Sequence, residues 1–115
     1  MPIRRGDLFW VDLNPVKGSE QAGRRPVVVI QNDVGNEAGP TVIVAPLTTK
    51  SFTKHYPINV HLPRGVAGLK EDSAMLLSPI RTIDKTRLDR KIGHLPPLFL
   101  KQVDQAICVS LGLTL

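Results

Sequence analysis

Two β-branched apolar runs, "PVVVIQ" from Pro26 and "TVIVAPL" from Thr41, constrain this chain most. Both are short, and both carry side chains that stiffen an extended backbone and read as buried strands. Further strand-like runs surround them. "DLFWVDL" (Asp7 to Leu13) mixes alternation with β-forming aromatics, "PINVHL" (57–62) alternates, and "SAMLL" and "IRTID" follow on either side of Pro79. Turns separate these runs: "NDVGNEAGP", with room for one short helical coil, and "PRGVAGL". From Lys91 onward the period changes. Leu100, Val103, Ile107 and Leu111 recur at helical spacing after "LPP", where proline suits a helix's first turn. The pattern predicts about five to seven short strands and one C-terminal helix. That is a mainly β class, a small, partly open barrel with the helix packed on it.

A chain of 115 residues fits one domain, 1–115, and a hydrophobic fraction of 42% is enough for a packed core. Aromatic residues make up only 4%, which argues against broad base-stacking platforms. The net charge of +5 favours an anionic partner without choosing among nucleic acid, acidic protein and anionic lipid. The lone cysteine, Cys108, excludes an intramolecular disulfide and suits a reducing compartment; "QAICVSL" around it reads as an apolar helix face rather than a nucleophile site. No signal-peptide core and no membrane-length apolar run is visible, so a cytoplasmic protein without a membrane partner is expected.

Charge placement says more than its total. No carboxylate occurs between Ala38 and Lys70, a stretch that supplies Lys50, Lys54, Arg64 and Lys70. A second basic segment, "RTIDKTRLDRK", sets five cations against two acids. These are either ordinary solvated faces or the two walls of a phosphate-binding groove. In "GSEQAGRRPVVVIQND" (Gly18 to Asp33), two arginines stand at the entrance of a buried strand, where desolvating a guanidinium is costly unless an anion meets it. One reading turns one arginine to water and pairs the other with Glu20 or Asp33. The other uses Arg25, held extended by Pro26, beside Thr48 at the end of the strand expected next to it. A guanidinium fork is suited to a phosphate and to the charge that develops on it.

Familiar nucleotide and zinc signatures (GxxxxGK[ST], GxGxxG, HExxH) are absent. His55, His61 and His94 form a poor metal set, and His55 with His61 makes only a weak acid–base pair, the first reading as a loop residue and the second as an exposed strand position.

The combination of an early "GD", "GSEQAGRRPV" and "RTIDK" closely resembles MazF/PemK toxins, the endoribonuclease halves of toxin–antitoxin pairs. The likeness extends through "TVIVAPLTT", "EDSAMLLSPIRTIDKTRL" and the terminal helix, nearly the whole chain. It implies an SH3-like barrel of the MazF/CcdB type and a two-fold homodimer. It also implies sequence-specific cleavage of single-stranded RNA, often mRNA, with no metal or other cofactor, and neutralisation by an acidic, MazE-like antitoxin. By the same resemblance Arg25 and Thr48 are the catalytic residues, and Ser19, Glu20, Gln21, Arg24 and Asn32 contact RNA. With no nucleophile evident in the chain, the attacking group expected is the ribose 2′-hydroxyl, leaving a 2′,3′-cyclic phosphate and a 5′-hydroxyl. The rival expectation is a non-enzymatic toxin of the same fold, like the CcdB proteins that poison DNA gyrase.

Overall fold

A computed structural model of the chain describes residues 2–14, 23–49 and 57–114. Seven strands appear among them: β1 (Asp7–Asp12), β2 (Arg24–Val29), β3 (Thr41–Thr48), β4 (Asn59–Leu62), β5 (Ser73–Leu76), β6 (Arg81–Asp84) and β7 (Leu88–His94). Two α-helices accompany them, α1 (Asp33–Ala38) and α2 (Pro97–Leu111). The β-branched runs are the central strands, β2 and β3, as their composition predicts. "NDVGNEAGP" does hold one short helix. It starts where Asn32 Oδ1 accepts the Gly35 N–H at 2.8 Å, and the Asp33 carboxylate accepts the Arg5 N–H at 2.7 Å. α2 begins at Pro97, where a missing N–H costs nothing, and its buried face is Val103 and Ala106 with Leu100 and Ile107 against the core. Leu111, expected on that face, is exposed instead, at the last residue of the helix, although Ser110 beside it still donates to the Leu77 carbonyl at 2.7 Å.

All pairings are antiparallel, in the order β4-β5-β3-β2-β1-β7, with β6 also on β3. The eight-residue β3 divides its far edge between two partners, Thr41–Val44 facing β6 and Leu47–Thr48 facing β5. Side-chain alternation sends residues of one strand to two cores. Leu8, Val28, Ala45 and Leu47 pack with Met75, Leu95 and α2's Val103, whereas Phe9, Val11, Val27, Val29, Val42 and Val44 pack with Ile83.

β4 and β7 end the strand order, so the sheet stays open, the partly open barrel expected from sequence. A 3₁₀ turn at Val66–Gly68 lies across the gap, against β7. Its approach needs two glycines. A Cβ on Gly93 would collide with the Ala67 backbone carbonyl, and one on Gly68, whose φ is +83°, would stand 2.9 Å from the Ile92 carbonyl oxygen.

β7 itself does not appear among the sequence-derived strands. Its residues, "LDRKIGH", carry charges where strand alternation would show apolar side chains, which is the composition of an edge strand that faces water. The "RTIDK" motif explains how the chain reaches it. Asp84 Oδ1 accepts from Thr86 N at 2.9 Å and Thr86 Oγ1 at 2.8 Å, capping the 3₁₀ turn Lys85–Arg87 that leads into β7. Those bonds hold the exposed Asp84 carboxyl below its ordinary value. Two neighbouring arginines fasten the end of β1, Arg81 Nη1 donating to the Leu13 carbonyl at 2.9 Å and Arg87 Nη1 to those of Asp12 and Asn14 at 3.3 and 3.2 Å.

Candidate active site

The β2–β3 ladder runs from Val29–Val44 to Val27–Pro46 and stops there. Continuing the same register brings Pro26 opposite Leu47 and Arg25 opposite Thr48. Pro26 has no N–H to offer β3. The Leu47 carbonyl accepts from Arg25 Nη1 at 3.2 Å. A side chain thus ties the two strands together where the backbone ladder ends, and it fixes the guanidinium at the strand mouth.

That mouth opens into a cavity of about 620 Å³. Arg24, Arg25 and Thr48 all line it. Its apolar lining comes from Trp10, Pro26, Leu47, Leu69 and Ile92. Its charged lining is Arg24, Arg25, Lys70, Arg90 and Lys91, against the single carboxylate of Glu71. Five cations over an apolar wall focus a positive potential into a concave space. The two basic segments seen in sequence therefore do converge: the first delivers Lys70 after the 3₁₀ turn, and the second delivers Arg90 and Lys91 on β7.

Two of these cations, Arg24 and Lys91, meet carboxylates. Arg24 Nη1 meets Asp89 Oδ2 at 2.7 Å, and the Arg24 guanidinium carbon lies 5.5 Å from the centre of the Trp10 ring. Lys91 Nζ reaches Asp7 Oδ1 at 3.3 Å. Asp7, the acid of the early "GD", is buried, and it also accepts the Arg4 N–H at 2.9 Å and contacts His94 Nδ1 at 2.8 Å. Through Lys91 and His94 it anchors β7 to β1.

Other candidates fall elsewhere. Asn32 is not among the cavity residues, and its side-chain oxygen is committed to capping α1. Ser19, Glu20, Gln21 and His55 lie outside the described residues. His61 is an exposed position on β4 and does not line the cavity; Cys108 sits on α2. Among the described residues no group of three His, Cys, Asp or Glu side chains could hold a metal ion. No helix there is long and apolar enough to cross a membrane. Trp10 was not legible in the sequence, because an aromatic in a strand reads as core; the meeting of the two basic segments was, as the two walls of a groove.

Residues 4–111 match the family model for the PemK-like, MazF-like toxin of type II toxin–antitoxin systems. The chain belongs to that family. The Endoribonuclease MazF of Staphylococcus saprophyticus is 49% identical over 111 residues, covering 96% of this chain and 92% of that one. The crystal structure of MazF from Deinococcus radiodurans has a TM-score of 0.80 at 28% identity, over 98% of this chain and 99% of the other. The MazE–MazF structure from the same organism, in its second crystal form, gives 0.77 at 27% identity over 99% of each. The toxin is thus a member of an endoribonuclease family, and the similarities favour that reading over the gyrase-binding one.

Proposed function

We propose that the toxin cuts single-stranded RNA, mRNA included, at a short recognition sequence without a metal ion or other cofactor. The ribose 2′-hydroxyl attacks the adjacent phosphorus, and the 5′-oxygen of the next nucleotide leaves. The products are a 2′,3′-cyclic phosphate and a 5′-hydroxyl end. Arg25 stabilises the charge that builds on the non-bridging oxygens, a role suited to a permanently charged fork. Thr48 hydrogen-bonds a phosphate oxygen or orients the attacking hydroxyl. The observation that supports this reading is that Arg25, bonded to the Leu47 carbonyl beside Thr48, lines with Thr48 a cavity that also carries four further cations.

Arg24, together with Ser19, Glu20 and Gln21, contacts the RNA strand. Asn32 contributes through its amide nitrogen, its oxygen already accepting the Gly35 N–H of the helix cap. Residues 1–115 act as one toxin domain, and two copies form a homodimer. Large apolar side chains that stay more than half exposed on and just after α2, Leu98, Val109, Leu111 and Leu113, support a covered surface of that kind. The inhibitor is an acidic antitoxin, in keeping with the toxin–antitoxin family and with the MazE–MazF structure of D. radiodurans. Its carboxylates suit the same cation-lined cavity. The site of action is the cytoplasm.

The test is to incubate RNA with the toxin at low concentration and sequence the 5′-hydroxyl ends. A single 2′-deoxy sugar 5′ to the mapped scissile phosphate should abolish cutting but not binding, and EDTA should leave cutting of all-RNA intact. Cutting of the deoxy-blocked strand, or loss of activity in EDTA, would instead require an activated water and defeat the mechanism.

A further inference from the structure

We propose that Arg24, stacked on Trp10 and braced by Asp89, is a platform on which one RNA base beside the scissile phosphate stacks. The inference rests on the RNA-cleaving function proposed above and assigns a base-binding subsite to the same cavity. Three adjacent strands build it: Trp10 comes from β1, Arg24 from β2 and Asp89 from β7. The guanidinium is held twice, its carbon over the indole 5.5 Å from the ring centre and its Nη1 2.7 Å from the Asp89 carboxylate. An exposed ion pair alone would add little to stability. Here it orders an arginine that would otherwise lose much side-chain freedom on binding, so the platform is assembled before RNA arrives.

Asp89 offsets the Arg24 charge, which weakens it as a phosphate ligand, and the Arg24 side chain is 54% exposed. A neutralised, planar, pre-ordered guanidinium on an aromatic ring is better suited to the face of a base than to a phosphate. Arg24 and Arg25 line the same cavity, so the base it takes belongs to a nucleotide next to the cut. The low aromatic content excludes a broad stacking surface, but a single tryptophan extended by an arginine needs no other ring.

The test uses a short single-stranded RNA bearing the mapped cleavage sequence, blocked by one 2′-deoxy sugar. Copies of it carry an abasic site at each position in turn. Occupancy is read from the polarisation of a fluorescent label on the RNA, because Trp10, the chain's only tryptophan, is itself replaced in two of the variants. In the wild type, one abasic position beside the scissile phosphate should weaken binding about fivefold to a hundredfold. In Trp10→Leu, and in Arg24→Lys, which keeps the charge but not the plane, the intact RNA should bind only as well as that abasic copy. The abasic change should then cost nothing further. Trp10→Phe should retain most of the base-dependent affinity and guards against a folding defect. The proposal is overturned if the abasic penalty persists undiminished in Arg24→Lys, or if no abasic position affects wild-type binding. Either result would show that Arg24 over Trp10 does not hold a base beside the cut. Both could occur while cleavage with 5′-hydroxyl ends continues, so they leave the nuclease reading standing.

Discussion

Replacing Gly93 with alanine tests how the open sheet is closed, and through that how the cavity is held together. The new Cβ would meet the carbonyl of Ala67, a backbone atom in the 3₁₀ turn, not the free end of a side chain. The neighbouring residue cannot yield by changing rotamer, so either the turn moves off β7 or β7 bends away from β1. Gly68 forbids a simple slide, because its own backbone already lies close to the Ile92 carbonyl. Overpacking of this kind costs about 1–3 kcal/mol where side chains can adjust, and the upper end applies where only backbone can. For a domain of this size about 3 kcal/mol corresponds to a midpoint lowered by roughly 10 °C. Thermal and urea unfolding followed by tryptophan emission and far-ultraviolet dichroism would measure it. The same displacement carries Leu69 and Lys70 away from the cavity. RNA affinity should therefore fall, although Arg25 and Thr48 sit on strands that the substitution does not touch. A Gly93→Ala protein with wild-type midpoints and wild-type RNA affinity would show that the 3₁₀ turn does not close the sheet and does not shape the site.

Arg25→Ala should lose about 10²- to 10³-fold in cleavage rate, the usual cost of one transition-state donor, with little change in the unfolding midpoint. Arg25→Lys should stay badly impaired, since a point charge cannot grip two oxygens as a fork does; normal cutting by either variant would move the role elsewhere. Asp33 gives a pH prediction. The Arg5 N–H, and after it the Asn36 side chain, hold its carboxyl below the ordinary 3.8, so the charged form is favoured in the folded state. Its contribution to stability is present above 3.8 and fades as the pH falls through the lower folded value. Urea midpoints of wild type and Asp33→Asn should accordingly differ near neutrality and converge in acid; a gap constant across that range would refute the assignment.

Local chemistry made much of this molecule legible from its amino acids. β-branched runs, glycine and proline turns and one stretch of helical spacing identify β1 to β6 and α2, because strand and helix periodicity are properties of neighbouring residues. The Arg25–Thr48 pair was also within reach, since both stand at ends of strands that composition already marks as buried and adjacent. β7 was hidden by its exposure: an edge strand needs no apolar face, so "LDRKIGH" resembles a charged loop. What only the tertiary structure decided is which charges meet. The β2–β3 register, the splitting of β3 between β5 and β6, and the glycine contact that seats the 3₁₀ turn on β7 bring Lys70 and Arg90 to the cavity of Arg25. They also lay Arg24 between Trp10 and Asp89. Such meetings depend on pairings between residues far apart in the chain, and no local pattern of polarity encodes them.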